Sequence, residues 1–456
     1  MAKLHFYGGS LSVTGSNYLI ETKNSKVVID CGMFQGSGDQ ERKNYEDFPY
    51  DPATVDAVFI THSHIDHIGR LPKLVKDGFS GKVFGTEPTI DLVPVMLKDS
   101  QHIIEQQAKK DTEPMYSKKD VKNTTKLLRS MGYGEAFDVS EDVRVRFRDA
   151  GHILGSAIVE VWIKENDKET KIVFSGDLGN PPAPFLNDTE FIDEADYLLV
   201  ETVYGNRIHE DREERKKLLK EAIIDTIGHG GTLMIPAFAL ERTQELIFEI
   251  NQLMKNKKIP EVPIFLDSPL AIDATNVYKN YYNYFNGDAQ RFTEKGNKMF
   301  RFPQLKFTYE TEESKEINEI PPPKVILAGS GMSTAGRILH HERRYLPDPN
   351  SMLLIMGYQA KGTLGRRLLD GVKEIKLFGE EVPVRAHLRA IGGYSAHADK
   401  NTLYNWVENV YKNSKNLKTV FCVQGEEEAA TAFALKLRDD MRIYAKVPEE
   451  GDVLEF

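Results

Sequence analysis

The sequence predicts an α/β protein in which one domain interrupts another, and three observations carry that prediction. Short β-rich runs separated by glycine and polar turns fill the chain up to residue 201. From about residue 210 the pattern becomes helix–strand alternation, whose long connections imply parallel crossovers. Beyond residue 384 the earlier style returns, so the two flanks read as one domain and the middle as an insertion. At about 150 residues per domain, a chain of 456 residues fits two or three domains.

Taken in order, 3–7, 18–22, 26–31, 56–61, 143–149, 157–163, 171–175 and 197–201 read as strands: apolar, β-branched or aromatic runs bounded by turn formers. Segment 68–75 reads as a helix, and the polar, Lys-rich stretch 97–131 as another. The middle gives helix 212–227, strand 232–235, helix 241–254 and strand 263–267. After a loop-rich stretch closed by Pro321-Pro322-Pro323, strand 325–328 runs into a helix near 336–345. The tail gives strand 384–391, helix 400–411, strand 419–423 and helix 427–438. The outer domain is therefore drawn at 1–207 and 374–456, and the insertion at 208–373.

Composition narrows the function. With 40% hydrophobic and 28% charged residues, the chain is neither disordered, collagenous nor a coiled coil. A net charge of −10 argues against a protein that simply coats nucleic acid. Two cysteines, Cys31 and Cys422, make no disulfide scaffold. The amino terminus lacks an apolar signal region, and no window of about 18 apolar residues occurs. A soluble cytoplasmic protein with no membrane contact is expected.

The chemistry concentrates at Thr61-His62-Ser63-His64-Ile65-Asp66-His67, directly after an apolar strand. Residues two apart in an extended segment share a face, so His62 and His64 point the same way. Asp66 and His67 follow where the chain turns into a helix. Imidazoles with carboxylates beyond a strand's end suit zinc. A polar loop with incidental histidines is disfavoured, because three of the 12 histidines fall within six residues. Ala150-Gly151-His152-Ile153-Leu154-Gly155-Ser156 and Phe174-Ser175-Gly176-Asp177-Leu178-Gly179 offer two further donors, His152 and Asp177. Each segment alone reads as an ordinary turn, as does Asp30 in Val27-Val28-Ile29-Asp30-Cys31-Gly32. Their joint presence with the histidine cluster reverses that reading.

The pattern resembles the metallo-β-lactamase superfamily, whose His-x-His-x-Asp-His signature is matched at 62–67, with His152, Asp177 and Asp30 at its other positions. Over essentially the whole chain it is similar to the β-CASP branch of nucleic-acid nucleases, and to its bacterial-type RNA-processing ribonucleases. Glu201 in Leu199-Val200-Glu201-Thr202 matches that branch's first motif, and His397 in Ser395-Ala396-His397 its second. The third motif, histidine in RNA-processing members and valine in DNA-specific ones, falls at Gln424. The resemblance implies an αββα core with an inserted α/β domain built on a mainly parallel sheet. It also implies two zinc ions, the first on His62, His64 and His152, the second on Asp66 and His67, with Asp177 bridging. Gln424, a poor zinc ligand, implies a weaker second site open to a harder ion such as manganese.

The activity implied is hydrolysis of RNA phosphodiester bonds by a metal-bound hydroxide, as an endonuclease, a 5′-exonuclease or both, leaving a 5′-phosphate. His397, held by Glu201, would serve as general acid, and Asp30 would orient a ligand or the bound water. Asp66, Asp177, Glu201, His397 and Asp30 form the implied catalytic set. The alternative is an RNA-binding relative whose catalysis Gln424 weakens. A small-ester hydrolase on the same core is disfavoured, since Glu201 and His397 lie outside the general hydrolase signature; a di-iron redox enzyme would carry Glu in place of His64.

Substrate contacts are sought in the insertion. Leu327-Ala328-Gly329-Ser330-Gly331-Met332-Ser333 links a strand to a helix, where Ser330, Gly331 and Met332 can offer backbone N–H groups to phosphate. Arg337 and Arg242 are the candidate phosphate-binding side chains. Residues 324–391 hold 11 Lys/Arg against 6 Asp/Glu, or +5, which leaves −15 for the remainder. A locally positive surface can attract a polyanion to an acidic molecule. RNA is therefore the expected partner, with a homodimer left open.

Overall fold

Val27 and Ile29 face one way from their strand and Val28 the other, and all three are fully buried. A strand buried on both faces needs a layer on each side. The computed structural model describes the chain apart from residues 108–112, 166–167, 211, 358 and 361 and the side chains of Arg212 and Glu213, and it shows both layers. Two compact units emerge: Met1–Ile208 with His397–Phe456, and His209–Ala396.

The outer unit contains two seven-stranded sheets among the described residues. The first runs Val453–Glu455, Lys3–Phe6, Tyr18–Glu21, Lys26–Ile29, Ala57–Phe59, Lys82–Thr86, Leu128–Met131. The second runs Ala445–Lys446, Thr419–Val423, Tyr197–Glu201, Lys168–Phe174, Ala157–Glu165, Val143–Asp149, Ala136–Asp138. Phe6, Ile29 and Phe59 of the first sheet pack against Phe147, Val159, Phe174 and Leu199 of the second. Val28 and Val58 turn the opposite way, onto Leu71, Leu74 and Leu97 of the helices Leu71–Lys76 and Glu87–Gln107. Val173, Leu198 and Val420 meet Leu403 and Trp406 of helix Lys400–Asn413 and Phe433 and Leu437 of helix Glu427–Met441. Period-2 burial on both faces thus produces an αββα sandwich, the fold class expected from the sequence.

The inserted unit holds a six-stranded sheet in the order Leu305–Phe307, Ile264–Asp267, Lys324–Ala328, Thr232–Pro236, Met352–Met356, His387–Ile391. Every neighbouring pair is parallel. Its central strands are buried without alternation, as a sheet covered on both faces requires.

One expectation needs revision. The stretch 97–131 is not one helix: described parts of it belong to helices Glu87–Gln107 and Lys118–Leu127 and strand Leu128–Met131, while 108–112 lie outside the described residues. Leu128 is buried and pairs with Val83, so sheet pairing decides the ending. Strand Met352–Met356 carries no local mark of its conformation, because Met and Leu favour helix; only its place inside a parallel sheet makes it a strand. The inserted compact unit, His209–Ala396, includes His387–Ile391, which pairs with Met352–Met356. No helix among the described residues is long and apolar enough to cross a membrane.

This topology sets the site. Lys26–Ile29 and Ala57–Phe59 are parallel, as are Lys168–Phe174, Tyr197–Glu201 and Thr419–Val423. Asp30, the 62–67 segment, Asp177, Glu201 and Gln424 each follow or close the carboxyl end of one of these strands.

The approach of the first loops is close enough to test. A Cβ on Gly32 would lie 1.6 Å from the Asp66 carbonyl oxygen. That oxygen accepts from Ser16 N–H at 3.0 Å, and Gly32 N–H donates to Ser16 O at 2.8 Å. Gly32→Ala therefore destabilises the fold, by about 1–3 kcal/mol on the scale of overpacked sites. Urea unfolding followed by circular dichroism measures it; an unshifted midpoint would contradict the packing.

Candidate metal centre

Four donor atoms converge in the outer unit. His64 Nδ1 lies 2.9 Å from His62 Nε2 and 3.3 Å from His152 Nε2. Asp177 Oδ2 lies 3.4 Å from His62 Nε2 and 3.5 Å from His152 Nε2. A tetrahedral zinc with ligands at about 2.0–2.1 Å needs its donors roughly 3.3–3.4 Å apart. Three of these four spacings match that requirement and the His62–His64 one is shorter, and the donor types, three imidazoles and a carboxylate, fit zinc. Burial lowers the pKa of His62 well below the usual imidazole value and that of His64 to about 3, keeping both neutral and able to donate lone pairs to a cation.

Local geometry explains the convergence. His62 lies just beyond the strand Ala57–Phe59, and His64, in extended backbone, caps the short helix Ile65–Ile68, which swings Asp66 and His67 around. Gly176 has φ +54°, and a Cβ there would lie 2.8 Å from Thr61 Cβ, so only glycine lets the Asp177 turn approach. Asp30 also has positive φ, +59°, which aspartate tolerates in turns. Its carboxylate accepts from Thr61 N–H at 2.8 Å and from the Ser16 and Thr61 hydroxyls at 3.0 Å each. It also holds His67 Nδ1 at 2.7 Å, so it orients an imidazole through the ring's far nitrogen.

On the other side of Asp177, His67 Nε2 lies 3.5 Å from Asp177 Oδ1 and 3.7 Å from Asp66 Oδ2. The Gln424 amide nitrogen sits 2.9 Å from His67 Nε2 and 3.0 Å from Asp177 Oδ1. Among the described residues, the groups able to hold a metal are His62/His64/His152/Asp177 and Asp177/Glu201/His397; Asp66 and His67 do not complete another.

His397 Nδ1 lies 3.3 Å from both Glu201 oxygens and 3.7 Å from Asp177 Oδ2. Leu178 ties the elements together: its N–H donates to Glu201 Oε1 at 2.7 Å, and its carbonyl accepts from Ala398 N–H at 2.8 Å. Burial raises the pKa of Glu201. Burial opposes charge on His397, but the Glu201 and Asp177 carboxylates outweigh it and lift its pKa to about 9. A cationic imidazole steadied by a carboxylate can give up a proton.

Every sequence-selected residue of the outer unit therefore lies in one connected cluster. Ser16, Thr61 and Ser175, which the motifs did not select, support it; Ser175 Oγ accepts from Glu201 N–H at 3.0 Å. The five substrate-contact candidates belong to the inserted unit. There the Arg337 guanidinium is committed internally, to Asp267 Oδ1 at 2.8 Å, Thr308 O at 2.9 Å and Tyr309 O at 2.8 Å. Arg242 is buried, paired with Glu245 at 2.6 Å and lying over the Tyr394 ring. Both arginines thus hold the unit together rather than presenting open charge. The turn Ser330–Met332 remains partly accessible; Ser330 Oγ accepts from Thr334 and Ala335 N–H groups.

Family models match three stretches: Metallo-beta-lactamase superfamily at 13–83, Beta-Casp domain at 243–368, and Zn-dependent metallo-hydrolase RNA specificity domain at 381–448. The chain is 37% identical to Ribonuclease TTHA0252 of Thermus thermophilus, over 93% of this chain and 94% of that one. It is 32% identical to the RNase J-like protein of Methanocaldococcus jannaschii across the full length of both. It is also 32% identical to the transcription termination factor FttA of Methanosarcina mazei, covering 96% of this chain and 69% of the relative. A solved structure of a protein of unknown function from Enterococcus faecalis shares the fold, with TM-score 0.57, 11% identity and 99% of each chain covered.

His64 Nδ1 meets two of the other three donors, so its loss should open the centre. His64→Ala should retain less than one tenth of the metal bound by the original protein after desalting, read by elemental analysis. Undiminished metal would mean the ion binds elsewhere.

Proposed function

The chain belongs to the β-CASP branch of the metallo-β-lactamase superfamily, and from that premise we propose that it is a zinc-dependent ribonuclease acting on RNA phosphodiester bonds. The observation that carries the proposal is the Glu201–His397 pair beside Asp177. A donor cluster alone would serve many hydrolases; a carboxylate-steadied imidazole next to it supplies the acid that a poor alkoxide leaving group needs. The matched RNA specificity domain and the ribonuclease relatives support RNA as the substrate.

His62, His64, His152 and Asp177 would hold the ion. When bound, zinc supplies Lewis acidity toward phosphoryl oxygen and lowers the pKa of a coordinated water. Glu201 keeps His397 cationic and fixes its ring through Nδ1, so Nε2 is the nitrogen that protonates the departing 3′ oxygen. Asp30 and Thr61 hold His67 in place and so keep Asp177 in register. Cleavage of this kind leaves a 5′-phosphate and a 3′-hydroxyl. A second reading, an RNA-binding protein with weakened catalysis, draws on Gln424 at the third-motif position. Digestion of 5′-labelled RNA and matched DNA, with and without chelator, separates the two: the ribonuclease cuts RNA and stops with chelator, the binder leaves both intact.

A general acid acts in the transition state, so removing it spares ground-state binding. His397→Ala should slow single-turnover RNA cleavage by about 10²–10⁴-fold. RNA affinity in a filter-binding assay should stay within about twofold. Glu201→Gln should move the rate in the same direction by a smaller factor. Weakened binding with an intact single-turnover rate would remove His397 from the chemistry.

A further inference from the structure

We propose that the Gln424 side-chain amide takes the place of a second metal ion, so that each chain carries one ion, on His62, His64, His152 and Asp177. The proposal rests on the metal centre described above and deepens it.

The argument is one of lone pairs. Asp177 Oδ1 can only accept, so the Gln424 atom 3.0 Å from it is the NH2 nitrogen. The same nitrogen lies 2.9 Å from His67 Nε2, and the two pair as donor and acceptor when that ring nitrogen carries no proton. The Asp30 carboxylate, 2.7 Å from His67 Nδ1, can only accept there, which places a proton on Nδ1 and favours the tautomer with a free lone pair on Nε2. Both amide hydrogens are thus satisfied, one on each atom that a second ion would need. The single lone pair of an imidazole nitrogen cannot serve an N–H group and a metal together. Asp66, the remaining donor, stands 3.7 Å from His67 Nε2 and completes no set with it.

The amide is also held rather than merely resting there. Gln424 is 2% exposed, its N–H donates to Gly9 O at 2.6 Å, and its carbonyl accepts from Thr202 N–H. A Cβ on Gly9 would come within 3.1 Å of Gln424 Cγ, so a glycine makes room for the side chain. Moving the amide aside would strand a buried NH2 group without its partners, in favour of only two firm donors. The amide performs one part of the ion's work: it fixes Asp177 Oδ1 while Oδ2 turns to the first site. It contributes no positive charge.

Counting ions tests the proposal without relying on activity. The purified protein is stripped with chelator, reloaded with excess zinc or, separately, manganese, desalted, and weighed by native mass spectrometry. One ion per chain is expected with zinc, and no second ion with either metal. Gln424→His and the near-isosteric Gln424→Glu, which keeps the shape of the pocket, should each retain two. Two ions in the original protein would overturn the proposal and leave the metal centre standing. No ion at all would overturn both. One ion in every variant would show that something other than the amide excludes the second.

Discussion

Asp177 is 3% exposed and yet faces polar groups on both sides, a position a carboxylate keeps only if each lone pair has a use. Oδ2 looks to His62, His152 and His397, while Oδ1 looks to His67 and Gln424. These partners come from four different loops, so one carboxylate sets the spacing of them all. That is why the turn around it tolerates no side chain at Gly176 and is pinned again where Gly179 N–H donates to Ala150 O. The αββα sandwich supplies the rest, by ending its parallel strands side by side.

Much of this was legible from residues. The 62–67 cluster announces itself because its donors are neighbours in sequence. His152 and Asp177 are legible only jointly, since each alone is a turn residue. What could not be read were the supports: Ser175 reaches Glu201 across 26 residues and Thr61 reaches Asp30 across 31. Serine and threonine occur everywhere, and nothing local marks one that holds a carboxylate. The strand Met352–Met356 was hidden for a related reason, as its residues favour helix until the sheet surrounds them.

Charge was the poorer guide. An arginine after a glycine turn reads as a phosphate contact, but Arg337 meets Asp267, 70 residues earlier, and closes the inserted unit upon itself. Arg215, Glu249 and Tyr394 form a similar buried set, with Tyr394 Oη donating to Glu249 at 2.5 Å. A count of basic residues cannot separate charges that bind from charges that brace. Burial separates them at once.

One feature of the outer unit reaches beyond the folded molecule. Its first and last segments are a single body, with Val453–Glu455 paired to Lys3–Phe6 and His397 on the late side of the insertion. During synthesis the amino-terminal part emerges first and can begin to fold. It then holds all four donors of the metal cluster but neither His397 nor Gln424. Because some 190 residues of another unit divide the outer one, His397 and Gln424 can join the four donors only after the whole inserted unit has been synthesised.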